Sequence, residues 1–300
     1  AYSLRALMYF QLVRSFARPY SDNPEGPGVP LVLTYDPLLK PARNTVKQVY
    51  EQILSDLEKA YTLQTVYSGS TRFSKYASRA LAAKVSLYMG NNTQALSFAN
   101  DVITNSGFTL ATRTTVAANW ANTAGNTATN KTETLFEVSA DATLNVGTDE
   151  LGYIYSQAGY GDLIANEQLY ALYSNTDVRK TLITPGPRAG GEAAASIVSK
   201  YKAASGDRDD KKVIRLSEVY LIAAEAAQRL SDPQALVHLN TLMAQRDPSL
   251  VYASAGAQLL EDIITERRKE LAFEGDRFFD LNRLQRTIAR TGGIYAIRNI

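Results

Sequence analysis

The amino-acid sequence predicts a mostly helical protein of stacked hairpins interrupted by a long loop-rich insertion. Two observations carry this. Apolar residues recur at helical spacing in segments that come in pairs with short connections. Between Asn105 and Leu163 that period disappears, and Thr, Asn and Gly dominate.

The first segment, residues 1–18, reads as an amphipathic helix rather than a signal sequence. The chain starts inside this helical pattern, from which we expect a further N-terminal segment, with any export signal, to precede it. From Val46 onward, Val46, Val49, Tyr50, Ile53, Leu54 and Leu57 share one face, while Lys47, Glu51, Asp56 and Lys59 point away. Between Tyr76 and Met89 the apolar set is rich in small residues (Ala77, Ala80, Ala82, Ala83) that allow close helix approach, and Gly90 stands where a helix would end. Another helix follows Asn92, with Ala95, Ala99 and Val102 inward. The later half repeats this grammar. Leu216, Val219, Tyr220, Ala223, Ala227 and Leu230 form a stripe; Asp232 caps a second helix with Pro233 at its first position, and Leu236, Leu239, Leu242 and Met243 face back. A last helix, from about Gln258 to Phe273, places Leu260, Ile264 and Leu271 inward and carries a dense charged face. The hairpin spacing resembles tetratricopeptide (TPR) repeats without their strict consensus.

The insertion shows weak alternation around Leu135, Phe136 and Val138 and carries Trp120, Tyr153, Tyr155 and Tyr160, which give it a reason to be ordered. The region from Pro185 to Asp210, with the cluster Asp207, Arg208, Asp209, Asp210, Lys211 and Lys212, reads as a second exposed loop without chemistry.

Composition excludes several functions. The 32 basic and 30 acidic residues are interspersed, so no basic stripe exists to drive nucleic-acid binding. Cysteine is absent, which removes thiolate chemistry and disulfides. The single histidine, His238, lies inside a helix and suits packing or surface better than catalysis. Gly186, Gly190 and Gly191 lack the lysine and hydroxyl residue of a phosphate-binding loop. Paired carboxylates remain as a glycosidase option. However, Glu266, Glu270, Glu274, Asp276 and Asp280 alternate with Arg267, Arg268, Arg277 and Arg283, whose charges keep them ionised; Arg277 and Asp280 can pair on a helix, and Gly275 can end the preceding one. No run of apolar residues is long enough to cross a bilayer.

Three separated stretches, in order, resemble one family. Near the start "LRALMYFQLVRSFARPYSDNPEGPGVPLVL" is similar to its Arg-Ala and Tyr-Phe helix followed by Val-Pro-Leu. In the middle "LIANEQLYALYSNTDVRK" is similar to a segment ending in Asp-Val-Arg, followed by the pair Lys200 and Tyr201 and then "VIRLSEVYLIAAEAAQRL". The third, "ALVHLNTLMAQRD" with "IITERRKELAFEGDRFFDLNRL", resembles the closing signature of Glu-Arg, Glu-Leu, Glu-Gly-x-Arg and Asp-Leu. The chain thus resembles SusD/RagB-type glycan-binding proteins.

The resemblance implies an all-α fold of four TPR-like hairpins in a single domain over 1–300, with TPR-like helices over about 1–104 and 213–290 and a ligand-facing insertion over about 105–165. It implies a non-catalytic protein, without a cofactor, that binds oligo- or polysaccharide at the cell outer membrane through a lipid anchor. The anchor is inferred, since no lipobox cysteine is present. A TonB-dependent, SusC-like transporter is the implied partner. Aromatic rings flanked by amides suit sugar faces and hydroxyls, so Trp120, Tyr153, Tyr155 and Tyr160 are the expected stacking residues, with Asn119, Asn122 and Gln157 as hydrogen-bonding partners. The same residues could instead pack the loops. Calcium in the loops is left open. The alternative functions are a TPR-like scaffold binding a peptide or protein, and a carboxylate-dependent glycosidase.

Overall fold

A computed structural model describes residues 1–120, 131–188, 191, 193–201, 205 and 209–287. Helices α1 (Tyr2–Phe16) and α2 (Val46–Leu63) form the first hairpin, and α3 (Lys75–Tyr88) and α4 (Asn92–Asn105) the second. The third joins α8 (Leu216–Arg229) to α9 (Gln234–Ala244), with α10 (Gly256–Glu270) packed on α8 and the short α11 (Arg277–Arg283) following. Because α4 packs directly on α8, the hairpins before and after the insertion form one continuous stack.

Local chemistry explains the boundaries. Thr45 and Gln48 form a reciprocal capping box on α2, Ser74 caps α3 through the Ala77 N–H, and the Asn91 side chain caps α4 through the Gln94 N–H. Gly90, at φ 76°, reverses the chain between α3 and α4. Asp232 accepts from the Gln234 N–H at 2.9 Å, as its position before Pro233 predicts. Replacing it with Ala is expected to cost about 1 kcal/mol in a denaturant titration.

The small residues of α3 place it at the centre: Ala77, Ser78, Ala83 and Val85 are fully buried, and α1, α2, α4 and α8 all touch it. One large apolar core joins α1 to α4 with α8, and a second lies among α8, α9 and α10.

Several elements differ from expectation. Helix α1 is apolar on two sides: Ala6, Leu7, Phe10 and Val13 are buried, while Leu4, Met8, Leu12 and Phe16 are exposed. In α10 Ile264 is buried as expected, with Leu271 just after it, but Leu259 and Ile263 complete the inward set and Leu260 is half-buried. Leu230 lies outside the stripe, 43% exposed, where the chain turns at Ser231 with φ 58°. The insertion contributes α5 (Val116–Trp120), β1 (Thr134–Val138), α6 (Leu151–Tyr155) and α7 (Glu167–Tyr170). Of the region expected as an exposed loop, the described residues contribute strands and buried side chains such as Ala195, Val198, Lys200 and Tyr201. Strands β2 (Ile183–Gly186) and β3 (Ala195–Val198) pair antiparallel, while Lys211–Arg215 forms β4, antiparallel to β1. β-Branched residues such as Ile183, Thr184, Ile197 and Val198 favour this pairing. Asp207 and Arg208 lie outside the described residues.

Candidate functional site

The charged residues of the closing segment form the interior frame of the site rather than its surface. The expected charged face of α10 is buried: Glu266, Arg267, Lys269 and Glu270 are each at most 5% exposed. Charges this deep persist only when paired and hydrogen-bonded. In one network Arg179, Lys200, Arg215, Arg246 and Lys269 face Glu133, Asp177, Glu266, Glu270 and Glu274, which balances five cations against five carboxylates. Arg215 Nη1 donates to Glu133 and Glu270, each at 2.9 Å, while its Nη2 donates to Glu274 at 2.7 Å. Arg246 Nη2 joins Glu133 at 2.8 Å to Glu270 at 3.1 Å. The Arg179 guanidinium joins Asp177 to Glu266. This network ties Glu133 of the insertion, and Asp177, Arg179 and Lys200 of the segments after it, to the helical stack.

A second network links α1, α3, α8 and α10 to the chain end. Arg14 and Lys84 share Asp276, Arg267 joins Glu218 to Asp280, and Arg283 joins Asp280 to Glu225. Asp280 therefore pairs with Arg267 and Arg283 rather than with Arg277, because the chain turn at Gly275, with φ 85°, brings it back against α10. The cations keep the carboxylates ionised. Burial alone would raise Glu225, but Arg283 and Arg229 outweigh it and bring it down from 4.5 to about 2. Glu270 is held well below the usual carboxylate range by Arg246, Arg215 and Arg179 against burial, and Asp276 is held low by Lys84, Arg267 and Arg14. A carboxylate with a depressed folded-state pKa stabilises the fold fully above its unfolded value and loses that contribution as pH falls through the folded one. The melting temperature is accordingly expected to be flat above about pH 5 and to fall as pH drops from 4.5 toward about 2; an unchanged melting temperature across that interval would contradict the network's role.

Above this frame lie the aromatic residues. Trp120 is 4% exposed, packed with Ala111, Val116, Leu182 and Tyr201. Its ring has Lys200 Nζ 4.1 Å from its centroid, with the Arg215 guanidinium at 5.1 Å and Lys212 Nζ at 5.3 Å, and Tyr201 meets its edge at 5.7 Å. Such contacts draw cations to the ring's negative face. Asn119 is 1% exposed, and neither end of its amide has a hydrogen-bond partner among the described residues. Trp120 and Asn119, expected among the ligand-binding residues, are thus both buried in this structure. Asn122 lies outside the described residues.

The tyrosines differ. Tyr155 is half-buried, stacked on Tyr201 at 6.1 Å and against Phe273 at 5.8 Å. Tyr153 and Tyr160 form an edge-to-face pair at 4.9 Å, with Tyr153 half-buried and Tyr160 52% exposed. The Tyr160 N–H donates to the Tyr153 carbonyl at 2.9 Å, and the reversal requires Gly159, where a Cβ would lie 2.1 Å from that same oxygen. Arg188 fastens the next residues by donating to the carbonyls of Gly161 and Asp162 at 3.1 and 2.8 Å. The half-buried Gln157 lies within this turn. The structure thus brings Tyr153, Tyr160 and Gln157 together at the surface, with Tyr155 behind them. Sequence reasoning missed Glu133, Arg215 and Arg246, which hold the insertion down.

Similarity to known proteins agrees with this architecture. Residues 115–299 match the SusD family, and residues 1–87 match a family described as starch-binding, associating with the outer membrane. The chain belongs to the SusD family. A SusD superfamily protein of Bacteroides vulgatus ATCC 8482 is 32% identical with a TM-score of 0.85, over 98% of this chain and 68% of that one. A SusD-like protein P38 of Formosa agariphila is 24% identical over 98% of this chain and 67% of its own length. A laminarin-binding SusD-like protein shares the fold at 23% identity, with a TM-score of 0.72 over 95% of this chain and 69% of that one. The chain therefore spans about two thirds of these relatives. SusD-family proteins are non-catalytic binding proteins, and this chain is a SusD-like carbohydrate-binding protein of an outer-membrane-associated family. In SusD terms, the Asp-Val-Arg signature and the Glu-Arg and Glu-Leu signatures are the two sides of the buried network: Asp177 and Arg179, beyond the insertion, meet Glu266 and Glu270 on α10.

Proposed function

We propose that this SusD-family chain captures oligo- or polysaccharide through the surface of its insertion and passes it to a TonB-dependent, SusC-like transporter while held at the outer membrane by a lipid anchor. The carrying observation is the Tyr153–Tyr160 pair. One ring of the pair faces solvent, in a turn fixed by Gly159 and Arg188, and a preordered aromatic face binds a sugar ring at low entropic cost. Gln157 supplies the amide for sugar hydroxyls, and Tyr155 supports the turn from behind. Trp120, with Asn119 beside it, serves beneath the surface as the buried pivot of the insertion. The binding is without catalysis or cofactor.

The laminarin-binding relative supplies the first glycan to try. In calorimetric titrations with laminarin and a panel of other soluble glycans, Tyr160→Ala is expected to weaken the best ligand about tenfold, as loss of one aromatic contact of about 1.4 kcal/mol implies. Its melting temperature should stay close to the parent's. Unchanged affinity for every ligand that binds the parent would remove the tyrosine pair from the site.

A further inference from the structure

Between α1, α3, β4 and the turn after α10 lies a cavity of about 280 Å³, far larger than a single water needs. Among the described residues its wall carries Arg14, Lys84, Lys211 and Lys212 but only two carboxylates, Glu274 and Asp276. Those two are already engaged, Glu274 by Lys200 and Arg215, and Asp276 by Lys84 and Arg14. The carboxylates that offset Lys211 and Lys212 are Glu150 and Glu137, which are not part of the wall, so the lining itself is cationic. Two donors on it have capacity to spare. Arg14, 9% exposed, has no partner for its Nε, and the buried Lys212 has its nearest carboxylate, Glu137, at 3.6 Å. A buried cationic wall with unsatisfied N–H groups recognises a compact anion.

We infer that this cavity binds an anionic sugar unit of the hexuronate class, its carboxylate directed at Arg14 and Lys212. The sugar part of this assignment rests on the carbohydrate-binding reading above; the anionic part rests on the cavity. Burial lowers Lys212 and brings Lys211 down to about 8, and an anion beside them reverses that shift, so binding strengthens as pH falls from about 8 toward neutrality.

The test is calorimetric titration of the whole chain with D-glucuronate, with D-glucose as the neutral control. Saturable glucuronate binding that weakens with added salt, with no heat from glucose, is the expected result. Lys211→Gln, which removes one cation of the wall, and Leu151→Trp, which fills the cavity at a half-buried position on α6, should each weaken it at least tenfold. Silence toward glucuronate, equal binding of glucose, or binding unmoved by both substitutions would overturn the inference. Laminarin titrated in parallel separates the two readings: laminarin binding with glucuronate silence sinks the cavity site alone, whereas glucuronate binding lost with Leu151→Trp but no binding of any polysaccharide sinks the tyrosine surface alone.

Discussion

Replacing Arg215 with Met is expected to destabilise the fold by about 3–5 kcal/mol, measured as the free energy from denaturant unfolding. The guanidinium is 2% exposed and is the common partner of Glu133, Glu270 and Glu274. Without it, Glu133 and Glu270 keep Arg246 and Glu274 keeps Lys200, but the network holds one carboxylate charge in excess in a medium that solvates charge poorly. The loss reflects that stranded charge rather than the net worth of the pairs. Neutralising one of the carboxylates, in Arg215→Met/Glu133→Gln, should therefore recover part of the stability, and the difference between the single and double variants measures the coupling. A loss below about 1 kcal/mol would mean that the network is solvated and not the clamp described here.

Trp120→Ala is expected to cost about 3–5 kcal/mol, the range for removing a large aromatic from a packed interior. A ring that only stacked on ligand would instead lose binding with little loss of stability. This ring packs among Val116, Leu182 and Tyr201 and faces Lys200. The melting temperature should drop by several degrees, while glycan affinity of the folded protein changes less than in Tyr160→Ala. Unaltered melting with abolished binding would return Trp120 to the ligand surface.

The helices were legible because burial of one apolar face leaves a period that sequence preserves, as in Val46, Val49, Ile53 and Leu57 on α2. The charged helix α10 was misread for a physical reason. Glu266, Lys269 and Glu270 have the pattern of a solvated face, and the residues that draw them inside, Asp177, Arg179 and Arg215, lie many positions away along the chain. No local period reports a partner at that distance. The small sheets were faint for a related reason: β1, visible only as weak alternation, lies inside the insertion and pairs with β4 far along the chain, with register irregularities that blur the period. In the site, residue type singles out the aromatics of the insertion, but type cannot distinguish the buried Trp120 from the exposed Tyr160, which depends on how the loop folds back. The family signature was readable as a string, yet its role as an ionic clamp emerges only from the pairing.

Hydrogen exchange of the chain with and without its best glycan tests the central claim most directly. Slowed exchange confined to the turn around Tyr153, Gln157 and Tyr160 is the result expected of a glycan-binding insertion on a rigid helical stack. Slowed exchange along α8, α9 and α10, with the tyrosine turn unchanged, would contradict it and place the ligand on the helical repeats.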